Sequence, residues 1–269
     1  MVTQTNKNTN FLKLSIQVSL NGLSFCILNS KDKKIVFYKK IDFEQQLDPV
    51  KLLGQIELEY EKEKALQQGV SEIKLLFYNS LYTLVPSELF SEDQASNYLK
   101  FNAKILQTDF ITHDEIAPAN AVSVYIPYAN ITNYFFDRYG EFEYKHSISV
   151  LIENLLSREQ ESTKVYLHNQ AGSYDLVVIE NGKLLFCNSF TYDIPEDFLY
   201  YLLFSAEQLN LDPLKFELLL LGDIDQDSDL YKMAYNYVQN ISFLPTPNTF
   251  SNTKDFPGIN REFLLLNLF

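Results

Sequence analysis

Glycine is scarce in this chain. Ordinary usage would supply roughly 19 in a sequence of this length, yet the 269 residues contain 8, no two of them adjacent or two apart. Loops that cradle phosphate need closely spaced glycines so that backbone N–H groups can close on the oxygens. Neither G-x-G-x-x-G nor G-x-x-x-x-G-K-[ST] occurs, which excludes the common nucleotide loops. Arginine is rarer still: Arg138, Arg158 and Arg261 are far apart, so no arginine clamp on phosphate is expected. Basic residues number 22 against 35 acidic ones, a formal charge of −13. Binding to a nucleic acid or an anionic membrane surface needs the opposite sign, and neither is expected. The two cysteines, Cys26 and Cys187, sit in apolar runs without C-x-x-C spacing and read as buried, reduced thiols. No run approaches the roughly 18 apolar residues of a membrane span, and residues 1–10 are polar rather than signal-like. The expected location is the cytoplasm.

Hydrophobic residues make up 46% of the chain and charged ones 21%, the balance of a packed globular protein. From Leu12 the sequence alternates, with Leu14, Ile16 and Val18 set against Ser15, Gln17 and Ser19, as in a strand with one buried face. Asn21-Gly22 signals a hairpin, followed by strands over 23–29 and 35–41. A helix is predicted over 47–67 behind Asp48-Pro49, then a buried strand over 73–78. An edge strand (81–85), a helix (91–101) and strands over 105–111 and 122–126 complete the first half.

The grammar then repeats. Strands over 163–169, 174–179 and 184–192 surround turns at Gly172 and Asn181-Gly182. A helix from about 195 to 209 and a buried strand over 216–221 follow, and a last helix spans 228–239. Three antiparallel strands, a helix and a parallel strand form the mixed-sheet recipe of the ribonuclease-H-like fold. Two copies predict an α/β protein with an actin-like ATPase arrangement: a first domain over 11–146 and a second over 147–269 that opens with a connecting helix, 147–160. Residues 14–29 (LSIQVSLNGLSFCILN) and 82–90 (YTLVPSELF) resemble a Bacteroidetes family of unknown function that is assigned an actin-like ATPase fold. The resemblance runs from Phe11 to nearly the C-terminus.

That resemblance implies a magnesium–nucleotide site between the two halves, built on two hairpins of the form Asp-x-Gly-[Ser/Thr]. In the first hairpin the Asp position falls on Ser19 or Leu20, beside Asn21 and Gly22; in the second it falls on Asn169 or Gln170, ahead of Gly172. The adenosine loop, usually Gly-Gly, keeps only Gly222. Neutral Ser or Asn does not replace the carboxylate charge that holds Mg²⁺ and positions γ-phosphate chemistry. Ser19, Asn21, Gly22, Asn169, Gly172 and Gly222 therefore read as a degenerate cleft, with no cofactor, no metal and no catalytic residue expected. A divergent ATPase or small-molecule phosphotransferase is the alternative.

Asp223-x-Asp225-x-Asp227-x-Asp229 imitates a calcium loop, but Ser228 and Ala234 occupy the required Gly and Glu positions, so a solvated turn capping the next helix is expected. His113, His146 and His168 are scattered, with His168 alone near the second hairpin. Eight aromatic residues fall between Tyr125 and Tyr144. On a helix over 128–139, Ile131, Phe135 and Tyr139 share one face, which leaves other rings for contact. Tyr128, Tyr134 and Tyr139 are the candidate interface residues for a protein partner or a second copy. The terminal FLLLNLF (263–269) is either a docked element or a sticky tail.

Overall fold

The computed structural model describes residues 11–106, 108–158, 162–245 and 250–269. They fold into two compact units. The first sheet is formed by β1 (Leu12–Ser19), β2 (Gly22–Asn29), β3 (Lys34–Asp42), β4 (Glu72–Phe77) and β8 (Glu143–His146), in the order β3-β2-β1-β4-β8. The first three strands are antiparallel, and β4 and β8 are added in parallel. The second sheet repeats this plan with β9 (Lys164–Gln170), β10 (Ser173–Glu180), β11 (Lys183–Thr191), β12 (Glu217–Gly222) and β13 (Asn240–Phe243), in the order β11-β10-β9-β12-β13. The duplicated grammar is thus two separate mixed sheets of identical topology.

Helix α1 (Pro49–Lys62) follows the first meander. The Asp48 carboxylate accepts the N–H groups of Val50 and Lys51, and Pro49 fills the first turn, where a missing N–H costs nothing. The helix is shorter than the 47–67 expected, because the Gln67 amide turns back to cap the carbonyls of Tyr60 and Glu61. A small third sheet of β5 (Tyr82–Pro86), β6 (Thr112–Ile116) and β7 (Ala121–Tyr125), in the order β5-β7-β6, packs on α2 (Ala95–Leu99) around Val85, Leu99, Val122 and Val124. The strand expected over 105–111 is not among the described elements. The Asp109 carboxylate accepts the Leu106 N–H at 2.7 Å, and the strand starts at Thr112. Helix α3 (Ala129–Tyr139) completes this half, α4 (Ser147–Leu156) leads out of it, and α5 (Pro195–Gln208) and α6 (Asp229–Tyr235) belong to the second unit.

The division between the units departs from the expected boundaries. It falls inside α4, between Val150 and Leu151, and residues 250–259 and 264–269 belong to the first unit rather than the second. The cause is an uncovered sheet face. Phe250, Ile259, Leu265 and Leu266, the last two on α7 (Phe263–Leu266), pack on Cys26, Leu28 and Ile35. The Asn252 side chain pairs with both the N–H and the C=O of Ile35, at 2.9 and 2.8 Å. The terminal FLLLNLF is therefore a docked element. Its docking also explains why β1 is buried on both faces rather than one: Ser15 is fully buried and donates to the Leu265 carbonyl. Cys26 is buried as expected, Cys187 is only half-buried, and neither is part of a disulfide.

Candidate functional site

The first hairpin turns at Leu20-Asn21, with Ser19 paired to Gly22. Gly22 is not a turn glycine with positive φ. A Cβ there would meet the Ile41 carbonyl of β3 at 2.7 Å, so the glycine serves close strand approach. The Ser19 hydroxyl accepts the Asn21 N–H at 3.2 Å, which occupies within the turn an amide that a phosphate loop would offer to its ligand.

The second hairpin turns at Ala171-Gly172, where Gly172 takes φ +75°. Gln170 and Ser173 pair across it as Ser19 and Gly22 do in the first hairpin. Asn169 and Gly222 are brought together by the parallel pairing of β9 with β12. Gly222 has φ +86°, and a Cβ there would lie 2.1 Å from the Asn169 carbonyl oxygen. That carbonyl accepts the Asp223 N–H at 2.8 Å. Both ends of the Asn169 side chain are engaged: its amide donates to the Asp223 carbonyl at 2.6 Å, and its oxygen accepts the Tyr192 hydroxyl at 2.9 Å. Burial raises the Tyr192 pKa against that bond, so the hydroxyl stays a donor.

These residues do not fit a magnesium–nucleotide. None of Ser19, Leu20, Asn169 and Gln170 carries a charge, and Asn169 is a structural tie between a strand end and the following loop. Among the described residues no group of three or more His, Cys, Asp or Glu side chains is arranged to hold a metal ion. The acidic run at Asp223 is a capped turn. Asp225 accepts the N–H groups of Asp227 and Ser228 and pairs with Arg261 at 2.9 Å, and Ser228 caps α6 by accepting the Tyr231 N–H.

Two buried polar networks went unrecognised in the sequence. On the second sheet, Asp175 accepts Ser189 Oγ at 2.5 Å and lies 3.3 Å from His168 Nδ1, with all three on adjacent strands. The serine stands on β11 and the histidine on β9, on either side of Asp175 on β10, so this is a cross-strand tie rather than a nucleophile–base pair. In the first unit, half-buried Asp114 accepts the hydroxyl of buried Tyr125 at 3.0 Å and the N–H of buried His146 at 2.8 Å. Burial raises the Asp114 pKa above its usual value near 3.8, in opposition to the His146 bond. The folded state therefore holds this proton more tightly than the unfolded chain does. The contribution is full below that usual value and is lost as pH rises through the raised one. Asp114→Ala should cost about 1–3 kcal/mol at neutral pH by orphaning two buried donors. Asp114→Asn should flatten the pH dependence of the urea midpoint above pH 4; an unchanged pH profile would show that Asp114 titrates normally.

The aromatic stretch mostly fills the core. Tyr128, a candidate interface residue, is buried, with its ring edge-on to Phe77. The Tyr139 hydroxyl meets that of Tyr60 on α1 at 3.1 Å, Tyr134 packs edge-on against Tyr60, and the Arg138 guanidinium lies 4.3 Å from the centre of the same ring. Tyr60 thus gathers α3 onto α1 and leaves Tyr134 and Tyr139 half-buried. The exposed ring on α3 is Phe136.

A family model described as "Protein of unknown function (DUF3822)" matches residues 3–241. The chain belongs to this family. Among solved structures, a Bacteroides thetaiotaomicron protein with an actin-like ATPase fold and unknown function is 23% identical, with a TM-score of 0.80 and 98% of each chain covered. A chain of the PilM–PilN type IV pilus biogenesis complex is 13% identical, with a TM-score of 0.61 over 95% of this chain and 97% of that one. The ethanolamine utilization protein EutJ from Carboxydothermus hydrogenoformans is 8% identical, with a TM-score of 0.52 over 96% and 90%. No curated protein matches by sequence. This DUF3822 chain therefore has the actin-like ATPase fold, and no helix among its described residues is long and apolar enough to cross a membrane.

Proposed function

We propose that this DUF3822 protein is a non-catalytic binding module of the cytoplasm that uses the actin-like scaffold to hold another protein. One observation carries the reading: the hairpin positions that would organise metal and phosphate are neutral, and Asn169 is held at both ends by Tyr192 and Asp223. Turning the site to nucleotide would require breaking those bonds and would still supply no charge for Mg²⁺. A role in binding is in keeping with the same fold occurring in the PilM–PilN complex.

A thermal-shift titration with Mg-ATP and Mg-ADP tests this against the alternative, a divergent ATPase or phosphotransferase. No shift is expected at millimolar nucleotide. Saturation at about 100 times a dissociation constant would add about 2.7 kcal/mol and raise the midpoint by several degrees. A rise of that size would overturn the non-catalytic reading.

A further inference from the structure

On the second unit, α5 and α6 border an open groove of about 840 Å³. Half-buried Leu203 and Met233 line it, beside rings that a folded chain would ordinarily cover: Tyr200 at 59% exposure, Phe204 at 45% and Tyr237 at 55%. Tyr200 and Phe204, one helical turn apart, stack at 5.7 Å and 14° and present a flat apolar ridge. α5 has 14 residues, and at 1.5 Å per residue its length is about 21 Å. That suits an extended or helical segment better than a compact small molecule.

Charge decides the occupant. Glu196, Glu207 and Asp229 border the groove, and Lys232, the basic residue among its lining groups, already donates to the Asp227 carbonyl at 2.6 Å. The lining charge is 1 − 3 = −2, and residues 146–269 carry 7 basic against 17 acidic groups, 7 − 17 = −10. A second copy docking this face on itself would oppose the same carboxylates, and an anionic membrane would be repelled. A basic, amphipathic segment meets both demands, with apolar anchors for the ridge and cations for the rim.

We propose that the α5–α6 groove binds a basic amphipathic helix of a partner protein, which gives the binding module read above its docking surface. The probe is a fluorescent helical peptide of about 14 residues, with Leu on one face and Lys elsewhere, alongside the same peptide carrying Glu for Lys. By anisotropy with the full chain, the Lys peptide should bind at least about tenfold more tightly than the Glu peptide and weaken with salt. Tyr200→Ser combined with Phe204→Ser should reduce its affinity about tenfold or more, with the fold checked by circular dichroism. Glu207→Lys should weaken it while leaving both rings in place, and Phe136→Ser, an exposed ring on the first unit, should leave it unchanged.

Equal affinity for the two peptides, or binding indifferent to the Tyr200 and Phe204 changes, would overturn the proposal. So would sedimentation showing a dimer of the native chain that the double variant dissolves, since the occupant would then be a second copy. None of these results bears on the nucleotide titration, so the groove can fail while the non-catalytic reading stands, and the reverse.

Discussion

Gly222→Ala is expected to destabilise the second unit by at least about 3 kcal/mol. Two costs add. The backbone takes φ +86°, which an L side chain tolerates poorly, and the new methyl would sit 2.1 Å from the Asn169 carbonyl oxygen. Relief requires parting β12 from β9 at their last pair, which also strains the Asp223 N–H bond to the same carbonyl. Gly172→Ala is the matched control: φ is +75°, but nothing lies within 4 Å of its Cβ, so only the backbone term of about 1 kcal/mol applies. Urea unfolding of both variants checks the difference. Equal losses would mean that the close approach of β12 to Asn169 does not constrain the fold.

Leu265→Ala should cost about 3 kcal/mol, within the range for a fully buried leucine truncated to alanine. The informative readout is where the loss appears. Leu265 packs with Cys26, Leu28 and Ile35, and its carbonyl takes the Ser15 hydroxyl, so the first sheet should open. Hydrogen exchange should accelerate in β1 to β3, while β9, β10 and β12 keep their protection. Faster exchange confined to the second sheet would contradict the assignment of the last residues to the first unit.

Much of the fold was legible because local chemistry and tertiary demand agreed. The capping of α1 by Asp48-Pro49, the type of turn at Asn181-Gly182 with both residues at positive φ, and the Ser228 cap of α6 all follow from neighbouring residues alone. The site was legible only as far as residue type. Ser19 and Asn169 show in the sequence that the carboxylates are missing; that Asn169 is a tie between Tyr192 and the Asp223 loop does not. The second-sheet network shows the obstacle. Once the turn is placed at Ala171-Gly172, Asp175 must face His168. The next partner cannot be counted out the same way, because a register shift at Val178/Ile179 places Ser189 opposite Asp175, where an unbroken ladder from Asn181-Gly182 would place Asn188. A shift of one residue exchanges the faces of a strand.

By itself the sequence determined the two meanders, their helices, the acidic charge and the loss of the phosphate-loop residues, since each is set by short-range pattern or by composition. Tertiary structure alone decided three other matters: that the last residues cover the first sheet, that the tyrosines of α3 turn inward onto Tyr60, and that α5 and α6 leave Tyr200, Phe204 and Tyr237 uncovered. The reason is common to all three. Whether an apolar side chain is core or surface depends on which distant segment packs against it, and no local periodicity records that partner.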